Sequence, residues 1–437
     1  MKIHWPKVFI PEEFNNAESY LRYLVYEGAK KRYKIDENIF ERIEYEFERL
    51  KGCEPYFIMY YHLVEYCHKE NIIMVPGFGS VASSIINYCL GITSVDPIRW
   101  GLKFESFYLK EFSVIPNIDL NVDATRVDDV FKYLQDTYGE DYVLNACTCH
   151  HFDLKKKRSE RVPAYAVHPC GVCIFDEPYY NVVKTTEVDD PHTGKKKTVP
   201  LLSQQELETM GYIHIDIMSM DELSYVSKTM NLIERTKGEH IDYDNIPLND
   251  KATFAFLSSG HKDVRKIWGV TELTNVFSDL KPSNMQELCN LKVLFTYELY
   301  DYKDEYIDAL MMGNIDSEDD FDDDGLFKDT MGFLIYHEQI TDALHTMSNL
   351  DIAICEKIRR YMRYPDYLPI KDIFLKGVNE YGVYDSKLAK LLWLFLMTNK
   401  KHTRSYSHDM CYTIMWYRAT WLRAHYPEQF KECYPTD

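Results

Sequence analysis

The sequence predicts a two-part chain, a mixed α/β half followed by a nearly all-helical half, with the change falling between residues 230 and 250. Three observations predict this. Strict apolar–polar alternation, the mark of a half-buried strand, is confined to the first half, most clearly in "PNIDLNVD" (116–123) and "YIHIDIMSM" (212–220). Ahead of those stretches, apolar residues recur at spacings of three and four over 39–50, as on one face of a helix. From residue 221 onward the pattern is mostly helical.

Taken in order, residues 17–52 read as helical, with Ile39, Phe40, Ile43, Phe47 and Leu50 at helical spacing and Gly52 as a stop. A second amphipathic helix covers 55–70. A short apolar strand, Ile72 to Val75, then runs into "PGFGS" (76–80), and Val81 to Leu90 reads as a helix. A glycine-rich turn that opens a helix can cradle a phosphate on free backbone N–H groups, although such turns more often hold nothing. After the 116–123 strand come a helix over Arg126 to Tyr138, a basic loop over 153–163, a strand over 164–175, a turn-rich excursion over 189–200 and the 212–220 strand. The acidic stretch "IDSEDDFDDDGL" (315–326) has little to bury, lacks the spacing of an EF-hand loop, and is expected to stay solvated or disordered.

With 437 residues the chain can hold about two to four domains. Hydrophobic residues at 46% and charged residues at 27% are ordinary for a soluble protein, and 35 tyrosines lift the aromatic share. The opening "MKIHWPKVFIPEEF" has no apolar core of a signal peptide, and the longest apolar run, Leu391 to Met397, is far short of the roughly 20 residues that cross a bilayer. Eleven cysteines in that setting read as reduced thiols or metal ligands, so the expectation is a cytoplasmic protein with no membrane partner. The formal net charge of −19 opposes non-specific attraction to nucleic acid, but not a local basic groove. Candidate basic clusters are Lys155-Lys156-Lys157-Arg158, Lys195-Lys196-Lys197, Arg359-Arg360 with Arg363, and Lys400-Lys401 with Arg404, each also consistent with an ordinary solvated face.

Two acids on different strands can hold a pair of Mg²⁺ or Mn²⁺ ions for phosphoryl transfer. Asp119, between Ile118 and Leu120, and Asp216, between Ile215 and Ile217, are the candidates; surface-facing strand aspartates are the plain alternative. A second candidate is Zn²⁺ at Cys147, Cys149, His168, Cys170 and Cys173, with His150 and His151 nearby, since thiolates and imidazoles at this density suit zinc. The same cysteines also suit a buried strand as small hydrophobes.

Several segments together carry a resemblance. "YFIMYYHLVEYCHKENIIMVPGFGSVASSIINYCLGITSVDPIRWGLKFESFY" leads into "PNIDLNVD", followed by "HIDIMSM", "YHEQ" (336–339), "IRRYM" (358–362), "RSYSHDMCY" (404–412) and "YRATWLRAHYPEQF"; the opening "YLRYLVYEGAKKRY" precedes them. In this order they resemble the bacterial replicative DNA polymerase III alpha (C-family) subunits, over about residues 10 to 430. The resemblance implies an α/β palm of the nucleotidyltransferase superfamily followed by a mostly α-helical fingers domain. It divides the chain into an N-terminal helical segment (1–54), a palm (55–235) with the family's thumb reduced to a short loop near 145–163, and helical fingers (236–437). It implies catalytic, metal-holding roles for Asp119 and Asp216, and triphosphate binding by Gly77, Gly79, Ser80, Arg359, Arg360, Ser407 and His408. Its implied ligands are primer–template DNA and a dNTP, with a replication protein as a further partner.

The match is incomplete where chemistry is concentrated. Asn117 stands where the resemblance puts a first catalytic aspartate, Phe78 replaces the phosphate-turn arginine, and His214 replaces a triphosphate-binding lysine. Tyr406 stands for a lysine beside Ser407 and His408, and Lys266-Ile267-Trp268-Gly269 for a Phe-Gln-Leu-Glu segment. Losing one anionic ligand and two cations weakens Mg²⁺ and phosphate binding, and each loss is expected to cost about 10²-fold or more in catalysis. Three functions therefore stand open: a DNA-templated nucleotidyltransferase using two-metal chemistry; a catalytically silent relative that binds DNA, nucleotide or a replication protein; and a nucleotidyltransferase with another acceptor. The three departures tilt the expectation towards the silent relative.

Overall fold

The computed structural model describes residues 2–151, 163–190, 194–312, 325–364, 368–382 and 384–434. The Lys155–Arg158 cluster lies outside the described residues, as do nearly all of the 153–163 loop and of the 315–326 acidic stretch. Two compact units emerge. The first comprises Met1–Phe78, Ile85–Ser94 and Ile118–Lys228, and the second Gly79–Ser84, Val95–Asn117 and Thr229–Asp437. The first is α/β and the second is helical.

In the first unit four strands form one mixed sheet in the order β1-β6-β3-β2: β1 Asp119–Asp123, β2 Val143–His151, β3 Pro163–Ile174 and β6 Ile213–Met220. β1 and β6 run parallel, while β6–β3 and β3–β2 are antiparallel. The excursion at 189–200 is a hairpin of β4 Thr185–Asp189 and β5 Lys196–Pro200, with 191–193 outside the described residues. Residues 145–151, read as the start of a short loop, belong to β2 instead. There Ala146 and Cys147 are buried in the sheet.

The predicted helix over 17–52 is two helices, Ala17–Arg32 and Glu37–Leu50. Asp36 starts the second by accepting the N–H of Ile39 on its side chain, as an N-cap does. Ile39, Ile43, Phe47 and Leu50 are buried as their spacing predicts, whereas Phe40 is 50% exposed. The Ile72–Val75 strand is reduced to an isolated bridge between Met74 and Val122, with Val75 donating to the Asn121 carbonyl and Asp123 to that of Ile73. The Val81–Leu90 helix is likewise broken, into a 3₁₀ turn Val81–Ser83 and a short helix Ile85–Cys89. A distant group sets the start of that helix: the fully buried Glu46 carboxylate accepts the N–H groups of Ile85 and Ile86 and is paired with Arg42 at 2.7 Å. Helix Val127–Tyr138 packs on helix Glu54–Lys69 through stacked Tyr66 and Tyr133 rings 4.1 Å apart.

Gly28 lies inside the first helix, where alanine would be favoured by about 1 kcal/mol on helix propensity alone. A Cβ there would sit 1.9 Å from the Cys89 carbonyl oxygen. Close packing outweighs propensity, so Gly28→Ala is expected to destabilise by about 1–3 kcal/mol, read as a lower urea midpoint at unchanged slope.

In the second unit, helix Tyr406–His425 runs through the core. Met410, Cys411, Ile414, Tyr417 and Leu422 on it are buried, and Trp268 donates its indole N–H to Thr420 at 3.1 Å. Buried Arg418 is held by the carboxylate and carbonyl of Asp244, and buried Arg423 by Asp263 at 2.6 Å. A second apolar cluster gathers Leu344, Met347, Ile358, Phe374, Leu392 and Trp393 from the helices between 337 and 399. No described helix is long and apolar enough to cross a membrane.

Candidate active site

The parallel register of β1 and β6 sets Asp119 opposite Asp216. On β6, Ile213, Ile215 and Ile217 are buried on one face, while His214, Asp216 and Met218 occupy the other, half-buried. Residues paired in register point to the same side of a sheet, so both carboxylates share the second face. Strands lie about 4.8 Å apart, a spacing at which two carboxylates can share cations about 3.5–4 Å apart. Asp216 Oδ1 is buried with no hydrogen-bond partner among the described residues. A buried carboxylate oxygen left unpaired is costly, which makes it a natural place for a cation.

The surroundings fix both acids. Buried Tyr60 donates its hydroxyl to the Ile118 carbonyl at 2.5 Å, anchoring β1 just before Asp119. Burial pushes the Tyr60 phenol well up, and Tyr56 and the charges of Asp119 and Asp216 add to the shift. Gly171 pairs with Asp216 on β3; a Cβ there would meet the Ala146 side chain at 2.6 Å and His168 Nδ1 at 2.9 Å. His168 Nδ1 accepts the N–H of Gly171 at 2.9 Å, so this nitrogen carries no proton, and its 3.9 Å approach to Asp216 is not a charged pair. His214 Nδ1 lies 2.9 Å from Glu208 and its Nε2 lies 3.9 Å from Asp216 Oδ2. Burial lowers the pKa of His214, partly offset by Glu208 and Asp216.

Asn117 is exposed and precedes β1, which begins only at Asp119, two residues after it. Asp123 does not restore the missing charge at the site. It is buried and accepts from Ser224 at 2.6 Å and from both the hydroxyl and the N–H of Thr125. Burial pushes its carboxyl up, but these hydrogen bonds outweigh burial and hold it below the usual range.

The zinc candidates scatter. Cys147 and Cys173 are buried; Cys173 packs among Leu144, Ala146, Phe175 and Leu207, and burial pushes its thiol up to about 12. Cys170 and His168 are half-buried, and the side chain of Cys149 lies outside the described residues. Among the described residues no group of three or more His, Cys, Asp or Glu is placed to hold a metal ion.

The second unit brings together Gly79, Ser407 and His408. The Gly79 N–H donates to His408 Nδ1 and its carbonyl accepts from the Ser407 hydroxyl, both at 3.1 Å. Ser80 is half-buried beside this turn. Arg359 and Arg360 converge on the buried Glu356: Arg359 donates through Nε at 2.7 Å and Arg360 through Nε at 2.8 Å, while Arg360 also reaches the carbonyls of Glu105 and Ser106. Several basic clusters are similarly engaged. Arg404 pairs with Asp409 and Glu298, Lys196 with Glu187, and Lys197 with Asp190. Tyr406 and Gln286 share a short hydroxyl–amide hydrogen bond.

Two buried acids, Glu338 and Glu356, organise this unit and were absent from the sequence candidates. Glu356 had a visible signal, standing three and four residues before Arg359 and Arg360. Glu338 had only its place in "YHEQ"; it accepts the N–H groups of Tyr406 and Ser407 and so caps the central helix from afar. Burial raises the Glu338 carboxyl from 4.5 to about 7 against those donors. A raised acid binds its proton more tightly folded than unfolded, so its stability contribution is full below pH 4.5 and is lost as pH rises through about 7. Glu338→Gln is expected to flatten the stability–pH profile between those values, measured by urea unfolding at half-unit steps.

One unit is α/β with two aspartates in register, and the other is helical with an arginine-rich cluster. Two family models match in that order: the bacterial DNA polymerase III alpha NTPase domain over residues 19–161 and the bacterial DNA polymerase III alpha subunit finger domain over residues 222–381. The DNA polymerase III subunit alpha of Staphylococcus aureus (strain COL) is 25% identical, covering 96% of this chain and 45% of that protein. That of Staphylococcus epidermidis (strain ATCC 35984) is 23% identical, covering 97% and 45%. The chain belongs to the bacterial DNA polymerase III alpha family. It spans about half the length of the curated relatives it matches.

Proposed function

We propose that this chain is a nucleotidyltransferase core that adds dNTPs to the 3′ end of a primer under the direction of a DNA template. The observation that carries this reading is the in-register pair Asp119 and Asp216, with Asp216 Oδ1 buried and unpartnered. This donor set fits Mg²⁺ or Mn²⁺, hard to borderline cations that take carboxylate oxygen. When bound, such ions activate the primer hydroxyl and stabilise the leaving pyrophosphate. Asp119 and Asp216 would hold them and Tyr60 would keep β1 in register; within the helical unit, Arg359, His408 and the Gly79 turn are the proposed triphosphate ligands. On this reading residues 55–235 are the palm and 236–437 the fingers.

A second reading, a silent relative that binds DNA, nucleotide or a replication protein, is favoured by Asn117, Phe78 and His214. It is favoured too by the engagement of Arg360 and the Gly79 N–H with protein groups. Primer extension on a primer–template, in Mg²⁺ and separately in Mn²⁺, separates the two. Extension that is lost in both Asp119→Ala and Asp216→Ala supports the first; no extension in either metal by folded protein leaves the second.

A further inference from the structure

We infer that His214 is a direct ligand of the cation held at Asp216, so that the site takes Mn²⁺ in preference to Mg²⁺; this rests on the metal-strand reading above. The inference starts from the imidazole's two nitrogens. Nδ1 lies 2.9 Å from Glu208 Oε1, a carboxylate contact that favours the ring proton on Nδ1. Nε2 therefore presents a lone pair, and it faces Asp216 Oδ2 at 3.9 Å, too far for a hydrogen bond. Two ligands each about 2.1 Å from one ion stand between roughly 3 and 4.2 Å apart, so this gap is the width of a shared cation. A histidine whose other nitrogen is held by a carboxylate is the usual outer arrangement of a metal-bound imidazole.

The strand geometry makes the pairing stable. His214 and Asp216 are alternate residues on one face of β6, between buried Ile213, Ile215 and Ile217. Asp119 stands across from Asp216 on β1. Since no group of three such side chains is converged among the described residues, the ion draws its remaining ligands from water and from nucleotide phosphates. Imidazole nitrogen suits manganese and later transition ions, whereas Mg²⁺ demands oxygen and dehydrates reluctantly. A carboxylate–imidazole pair therefore selects against Mg²⁺.

The test uses the whole chain with MnCl₂ or MgCl₂ alone. Free Mn²⁺ is followed by electron paramagnetic resonance, and Mg²⁺ by its competition. Expected results are Mn²⁺ bound at least about tenfold more tightly than Mg²⁺, and loss of about 10- to 100-fold in Mn²⁺ affinity in His214→Ala with Mg²⁺ affinity changed less than about twofold. Electron spin echo modulation on the unaltered protein needs no variant: a directly bound ¹⁴N coupling that disappears in His214→Gln supports the assignment. Absence of nitrogen coupling, or equal Mn²⁺ affinity in His214→Ala, overturns it. Asp216→Ala separates the two levels. If it abolishes binding while His214→Ala does not, the metal strand stands and the histidine assignment falls. If Asp216→Ala leaves both metals bound as before, the metal-strand reading falls as well.

Discussion

Asp216→Asn is expected to lower primer extension by at least about 10³-fold while leaving the Tm of metal-free protein unchanged or higher. Removing one electrostatic group from a phosphoryl-transfer site costs about 10²–10³ in rate, and on the proposed reading this group also holds a cation. The opposite sign for stability follows from Asp216 Oδ1, which is buried without a hydrogen-bond partner among the described residues. Replacing an oxygen that is buried without a partner relieves a penalty that folding otherwise bears. Asp123→Ala is the contrast four residues along β1 from Asp119. Asp123 is buried and fully engaged by Ser224 and Thr125, so its loss is expected to destabilise by about 1–3 kcal/mol through unpaired donors. Single-turnover extension and thermal unfolding in chelator, on both variants, check the pair. A lower Tm in Asp216→Asn would remove the strained-site explanation.

Glu356→Ala is expected to destabilise the helical unit by about 3–5 kcal/mol, because it leaves Arg359 and Arg360 without the carboxylate they share. The acid is 1% exposed and also accepts the Thr341 hydroxyl at 2.8 Å, so that donor too loses its acceptor. Arg360→Ala should cost less, since Arg359 stays to pair the acid. Burial pushes the Glu356 carboxyl up, but the two arginines outweigh it and hold it below 4.5. A lowered acid contributes stability above its unfolded pKa and loses it as pH falls through the folded one. Glu356 therefore favours folding at neutral pH, whereas Glu338 favours it under acid conditions, and the two variants should bend the stability–pH curve in opposite directions. Urea unfolding from well below pH 4.5 up to pH 8 reads both.

The sequence by itself determined the class of fold and most element positions. Period-two alternation placed β6 within a residue of its observed start, and helical spacing placed Glu54–Lys69 and Val127–Tyr138, because both signals record which side chains meet the core. It also pointed to Asp119 and Asp216, each an acid set between apolar neighbours. Where it erred, the deciding partner lay far along the chain. Helix Ile85–Cys89 starts where Glu46, about 40 residues earlier, accepts its first N–H groups, and helix Tyr406–His425 starts at Glu338. Local propensity carries no trace of such caps. Only the tertiary structure decided that the two aspartates stand in register, that Asp123 is engaged by Ser224 and Thr125, and that His214 Nε2 stands 3.9 Å from Asp216. The reason is physical. Burial of one face is written into residue spacing, but strand pairing, the tautomer of a ring and the sharing of one carboxylate by two arginines depend on groups that meet only once the chain has folded.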